Sequence, residues 1–147
     1  MYWLFKCNPE KYRIDERLKD PESTITWRVT RYKDEIEPGD IAFIWRTGRD
    51  RGICAVMQID SAPQDMPELD HELQYCVDLD TGIKCRVVGT LIERVGCFSH
   101  NVLRWVPGLE NMAVFHGFQQ ATNFQVTPEE GEKLIELIQE MLEETES

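Results

Sequence analysis

The sequence predicts an α+β fold: a small, curved, barrel-like sheet that carries helices and ends on an amphipathic one. Three observations predict it. Five or six apolar runs have strand length, and several are joined by turns bearing Gly or Pro. One late segment repeats its apolar residues at helical spacing. The chain has 147 residues, which suits a single domain over 1–147 burying about two-thirds of the surface its unfolded form exposes.

The elements follow in order. Tyr2 to Cys7 reads as a buried strand, stopped by Asn8-Pro9. Residues 9–20 mix charges with Tyr12, Ile14 and Leu18, as in a short helix or an irregular excursion. Trp27 to Tyr32 alternates Trp27, Val29 and Arg31 against Arg28, Thr30 and Tyr32, as a short strand or a turn-rich segment. Glu37-Pro38-Gly39-Asp40 is a turn, since Pro sets φ and Gly accepts φ > 0. It launches the apolar run Ile41 to Trp45. Arg46 to Gly52 is the next turn, and Ile53 to Ile59 returns as the second strand of a long hairpin. Pro63 to Asp70 is an acidic loop. Leu73 to Asp80 and Ile83 to Glu93 read as strands around Thr81-Gly82. Residues 97–107 suit a short helix ended by Pro107-Gly108, and Leu109 to Phe118 another. Thr127-Pro128-Glu129-Glu130 is a capping box with Pro at the first helical position. Leu134, Ile135, Ile138, Met141 and Leu142 then share one face, which packs on the core, while glutamates take the solvent face.

Composition narrows the function. Net charge is −11, which argues against a protein that coats nucleic acid non-specifically. The acid is concentrated in two segments, residues 60–80 and 128–147. Outside them the chain is net basic, with clusters at Arg28, Arg31 and Lys33 and at Arg46, Arg49 and Arg51. A locally basic face on an acidic body is one reading, and a solvated surface of mixed charge the other. No run approaches the ~20 apolar residues of a membrane span. No apolar leader opens the chain, so a cytoplasmic protein without a membrane partner is expected. The five cysteines, Cys7, Cys54, Cys76, Cys85 and Cys97, are odd in number and lack C-x-x-C spacing. They suit a reducing compartment and mostly buried, inert thiols, not a disulfide framework or a zinc ribbon.

Catalytic motifs are missing. His71, His100 and His116 show no metal-ligand spacing, so neither a metal nor another cofactor is expected. G-x-S-x-G and the phosphate-binding glycine loops are absent, and Thr47 to Gly52 reads as a hairpin loop. Trp27 and Trp45 stand out. Trp45 ends a strand just before Arg46-Thr47-Gly48, where an aromatic face, a permissive backbone and a cation could meet a flat ligand. Two such faces can sandwich a base. The alternative is that both belong to the core. Trp3 and Trp105 are assigned to the core.

The stretches Tyr2 to Pro9, Trp27 to Tyr32, Glu35 to Trp45, Thr47-Gly48, Arg51 to Val56 and Gln120 to Glu130 occur in an order that resembles the EVE domain family. That family is a PUA-like branch related to the YTH domains. The resemblance implies a PUA-like, mostly antiparallel barrel flanked by helices. It also implies a non-enzymatic pocket that reads a flipped, modified base, most directly 5-methylcytosine or another 5-substituted cytosine in DNA. Carried over by position, Trp27 and Trp45 would form the cage. Lys6, Cys7 and Asn8 would reach it from the first strand, and Thr47, Gly48 and Arg49 would line its mouth. Arg28, Arg31, Arg46, Arg49 and Arg104 would meet phosphates, with Gln119 and Gln120 as weaker contacts. The implied partners are modified DNA or RNA and a nuclease of a restriction or defence system. Other readings are a reader of modified RNA, an enzyme using Cys7 as nucleophile or Lys6 as acid, and a small-molecule or protein-interaction module.

Overall fold

The computed structural model describes residues 1–78, 82–116 and 121–146. Along the chain run β1 (Tyr2–Cys7), α1 (Ile14–Arg17), β2 (Thr24–Arg28), β3 (Ile41–Arg46) and β4 (Gly52–Ile59). Then come β5 (Gln64–Met66), α2 (Asp70–Leu73), β6 (Lys84–Ser99), α3 (His100–Leu103), α4 (Ala113–His116), β7 (Asn123–Val126) and α5 (Pro128–Glu146). The strands form one sheet in the order β2-β6-β4-β3-β1-β7, with β5 added on β6. β1 and β3 run parallel, and the other pairs are antiparallel.

Alternation along β1 and β3 divides the interior in two. Trp3, Phe5 and Cys7 of β1, with Ala42 and Ile44 of β3, face an inner core that also holds Ile25, Val29, Met57 and Val87. Leu4, Phe43 and Trp45 face the other way, with Ile53 and Val56. That outer side is covered by Leu134 and Ile138 of α5 and by Leu103, Leu109 and Met112. The capping box forms as expected. Thr127 Oγ1 accepts from Glu130 N at 3.2 Å, and Glu130 Oε1 accepts from Thr127 N at 3.0 Å.

The barrel expected from the sequence does not close. β2 and β7 end the sheet and do not pair with each other. The chain leaves β2 at Arg28 and turns through Tyr32, whose φ is +61°, so β2 is not prolonged toward β7. One buried side chain bridges the gap instead. Asn123 Oδ1 accepts from Thr30 N at 2.8 Å and from Thr30 Oγ1 at 3.2 Å, and its Nδ2 donates to Arg28 O at 3.4 Å. The amide thereby satisfies backbone groups that ladder pairing would otherwise have used.

Several segments differ from expectation. Within Pro63 to Asp70, Gln64–Met66 forms the short strand β5 against β6. Leu73 to Asp80 is not a strand over the residues described. α2 ends at Leu73, and only an isolated bridge joins Cys76 to Tyr12. Leu79 and Asp80, at the end of that segment, lie outside the described residues. The reason is polar: Glu72 turns inward and accepts from Arg17 Nε at 2.7 Å and from the Tyr12 hydroxyl at 3.1 Å, with Arg17 and Glu72 fully buried. Finally, β6 runs 16 residues, well past Glu93, and only His100–Leu103 of 97–107 is helical. Irregular register between β4 and β6, with Gly96 at φ +85°, lets that long strand bend.

The five cysteines are all free, but only Cys7 and Cys54 are buried; Cys97 is exposed. No helix among the described residues is long and apolar enough to cross a membrane.

Candidate functional site

The outer face of the sheet carries a cavity of about 280 Å³ where β1, β3 and the loop after β3 approach α3 and α4. Strand alternation places two of its residues. Lys6 follows Leu4 on the outer side of β1, and Trp45 follows Phe43 on β3. A bulge at this end of the β3–β4 hairpin, between Ile44 and Trp45, sets the aim of the indole. Thr47 then continues the pairing with β1, its N and Oγ1 both donating to Cys7 O, at 2.9 and 3.1 Å. Gly48 takes φ +94° beside the cavity, a conformation that a side chain would strain.

Three rings stand edge-to-face around this space. Trp45 and His100 lie 5.9 Å apart, His100 and Phe115 5.2 Å, and Trp45 and Phe115 6.1 Å, with interplanar angles of 72–83°. Such T-shaped pairs are favourable in themselves. Ser99 fixes His100 by capping α3, its Oγ accepting from Asn101 N at 3.1 Å. Phe115 comes from α4, and Val114 beside it adds apolar wall.

Cations border the aromatic walls. Lys6 Nζ sits 5.1 Å from the centre of the Phe124 ring, and burial lowers its pKa from the ordinary lysine value. Arg51 also lines the cavity. A second hollow of about 520 Å³ adjoins it, sharing Gly48, Arg51 and His100 and adding Arg49 and Asn101. Burial, then the charges of Arg51 and Arg104, hold the His100 imidazole below its usual pKa, so it is neutral at pH 7. Its Nδ1 is buried without a hydrogen-bond partner. In an NMR titration the His100 ring protons are expected to show a midpoint below ~6.5. Because the unfolded chain takes this proton more readily, the associated stability is present above ~6.5 and is lost as pH falls below it. A midpoint above the free-imidazole value would contradict this environment.

The structure separates the residues that the sequence grouped. Lys6, Trp45, Thr47 and Gly48 meet at the cavity, with Arg49 at its neighbour. Trp27 is not with them. It packs half-buried on the inner side, 5.7 Å from Tyr12, so the sheet stands between the two tryptophans and no sandwich forms. The Cys7 thiol also faces the inner core, where burial raises its pKa strongly; only its carbonyl reaches Thr47. Asn8 is exposed, and its Oδ1 accepts from Glu10 N at 3.0 Å in a local turn. Arg46 is held by Asp15 at 2.8 Å, so its charge is already matched within the fold. Arg28 and Arg31 are exposed at the end of β2, and Arg31 lies over the Tyr32 ring. Arg104 lies one turn beyond His100, stacked on Trp105. Trp105 itself is 75% exposed, which corrects its assignment to the core. Gln119 and Gln120 lie outside the described residues.

Sequence reasoning missed His100, Phe115 and Arg51 as cavity residues. His100 enters it only as a metal ligand to be excluded, and Phe115 only as part of a short helix. The one local signal is Ser99, a cap residue that starts α3 at His100.

No curated protein matches the chain. Among solved structures, a hypothetical protein from Leishmania major is similar at TM-score 0.70 and 19% identity, covering 96% of each chain. A Pseudomonas putida protein is similar at TM-score 0.67 and 20% identity, over 94% of this chain and 99% of that one. Human THYN1, in complex with 5-methylcytosine-containing DNA, is similar at TM-score 0.62 and 19% identity, over 93% and 96%. These likenesses show a shared fold. The EVE domain model matches residues 1–137, so this chain belongs to the EVE domain family.

Proposed function

We propose that this protein is a non-enzymatic reader of a modified base, a flipped 5-substituted cytosine in DNA. The observation that carries the reading is the Trp45–His100–Phe115 triad, which walls a cavity with Lys6 on its border. An extruded base gains from aromatic contact, about 1–3 kcal/mol per base. The Lys6 ammonium donates to an acceptor on the base edge, as at O2 or N3 of cytosine. The apolar side of Val114 and Phe115 receives the 5-substituent. Arg49 and Arg51 at the adjoining hollow meet the flanking phosphates. The THYN1 complex with 5-methylcytosine-containing DNA, on the same fold, supports this choice of ligand.

The site is built for holding. The Cys7 thiol points away from the cavity, Cys97 lines the adjoining hollow, and burial opposes the ionisation of both. Any cleavage that follows recognition falls to a partner, such as a nuclease of a defence system.

The test is binding at low salt to matched DNA and RNA oligonucleotides. They carry cytosine, 5-methylcytosine, 5-hydroxymethylcytosine, N6-methyladenine or thiolated uridine. One methyl group in an apolar pocket is worth about 1–3 kcal/mol, so a preference of roughly tenfold for a 5-substituted cytosine in DNA is expected. Equal binding of cytosine and its 5-substituted forms would sink the reading. A preference confined to the RNA set would move the ligand to RNA.

A further inference from the structure

Trp105 is the most exposed of the large apolar side chains described, at 75%. A bare indole on a surface is unusual, because it is the largest apolar side chain and normally finds cover. It is not loose. The Arg104 guanidinium lies over its ring at 4.9 Å, and Trp105 N donates to Val102 O at 3.2 Å. Arg104 in turn is tied to His100, which lines the cavity. Its N donates to His100 O at 3.0 Å, one helical turn on, and its charge acts on the His100 imidazole. A cation one turn beyond a cage residue and an aromatic plate at the next position are thus fixed together.

We infer that Trp105 and Arg104 form a stacking shelf for the nucleotide beside the one held in the cavity. The inference rests on the base-reading proposal and extends it from one nucleotide to two. Extruding a base leaves its neighbours unstacked on one side, and an apolar or aromatic side chain that covers them recovers the lost contact. The indole supplies that plate, and Arg104 presents its remaining N–H donors to the phosphate between the two nucleotides. A nucleic acid fits this patch better than a protein surface, because the Arg104 guanidinium covers the indole and Arg51 lines both hollows, cations gathered in an otherwise acidic chain.

The experiment uses a duplex carrying one 5-methylcytosine with 2-aminopurine as its neighbour, and 5-methyldeoxycytidine monophosphate as a single-nucleotide probe. The variants are Trp105→Ala, Trp105→Phe and Phe115→Ala. Trp105→Ala is expected to weaken duplex binding about tenfold, as loss of one stacked base predicts. It leaves the 2-aminopurine brighter than in the wild-type complex and leaves monophosphate binding within about twofold of wild type, since the shelf touches only the neighbouring nucleotide. Trp105→Phe keeps most of the duplex affinity, while Phe115→Ala weakens both ligands. Unchanged duplex binding and fluorescence in Trp105→Ala overturns the shelf while leaving the base reader standing. Equal loss of duplex and monophosphate also overturns it, since Trp105 would then act through the cavity. Failure of the wild type to prefer the modified duplex overturns the base-reading proposal, and the shelf falls with it.

Discussion

Phe115→Ala is expected to reduce affinity for the preferred modified base by about 5- to 150-fold, the equivalent of one aromatic stacking contact. Phe115 is half-buried and sits on a four-residue helix, so its truncation opens the cavity without emptying the centre of a core. The melt should stay cooperative, and affinity should fall by titration with the modified oligonucleotide. Trp45→Ala is the poorer probe, although the indole lines the same cavity. Trp45 is 3% exposed and packs among Leu4, Phe43 and Ile53. Truncating such a side chain costs about 3–5 kcal/mol, a large share of the ~5–15 kcal/mol that holds a domain together. Lost binding in Trp45→Ala would therefore mix an absent wall with an unfolded chain. If a folded Phe115→Ala binds as tightly as the wild type, the aromatic cage is not where the base sits.

A stability effect as large is expected at the opposite side of the sheet. Arg17→Met leaves the Glu72 carboxylate buried, without its 2.7 Å ion-pair partner. Breaking a buried pair in this way costs about 3–5 kcal/mol, enough to lower Tm by roughly 10 °C in a domain of this size. The Tyr12 hydroxyl, still donating to Glu72, offsets only part of the loss. Replacing both partners, as in Arg17→Met with Glu72→Leu, should recover most of it, because neither charge then remains to be desolvated. Thermal melts of the two single variants and the double variant decide the point. A double variant no more stable than Arg17→Met would mean that the pair is not what determines stability there.

These two sites also mark where the sequence was legible. β1, β3 and β4 are runs of large apolar residues between strong turns, and α5 announces itself with a capping box and an apolar stripe. Local chemistry alone specifies such elements. β5 is not legible, because Gln64, Asp65 and Met66 carry no strand pattern and are held only by pairing with β6. Leu73, Tyr75 and Val77 alternate as a strand would, yet the chain turns to bury Glu72. A buried ion pair formed across 55 residues leaves no periodic trace. The cavity divides in the same way. Trp45, Thr47 and Gly48 stand together at one strand end and the turn after it, and Lys6 is reached through the family resemblance. His100 and Phe115 arrive from α3 and α4, far along the chain, and only the tertiary fold brings them to Trp45. Trp27 escapes sequence reasoning because residue order does not tell which side of a curled sheet a ring will face.

The two-sided alternation of β1 and β3 has a consequence for how such a protein can diversify. Changes at Phe115 and at Arg17 act on clusters that share no partner and are divided by the backbone of the sheet. Free energies of such distant changes usually add, to within about 0.3–0.5 kcal/mol. A lineage could therefore enlarge or reshape the cavity for a bulkier base while the inner face keeps the same stability. Stability gained at the inner face would in turn permit riskier substitutions around the ligand. Separating the two tasks across a single layer of strands lets ligand preference drift without the architecture drifting with it.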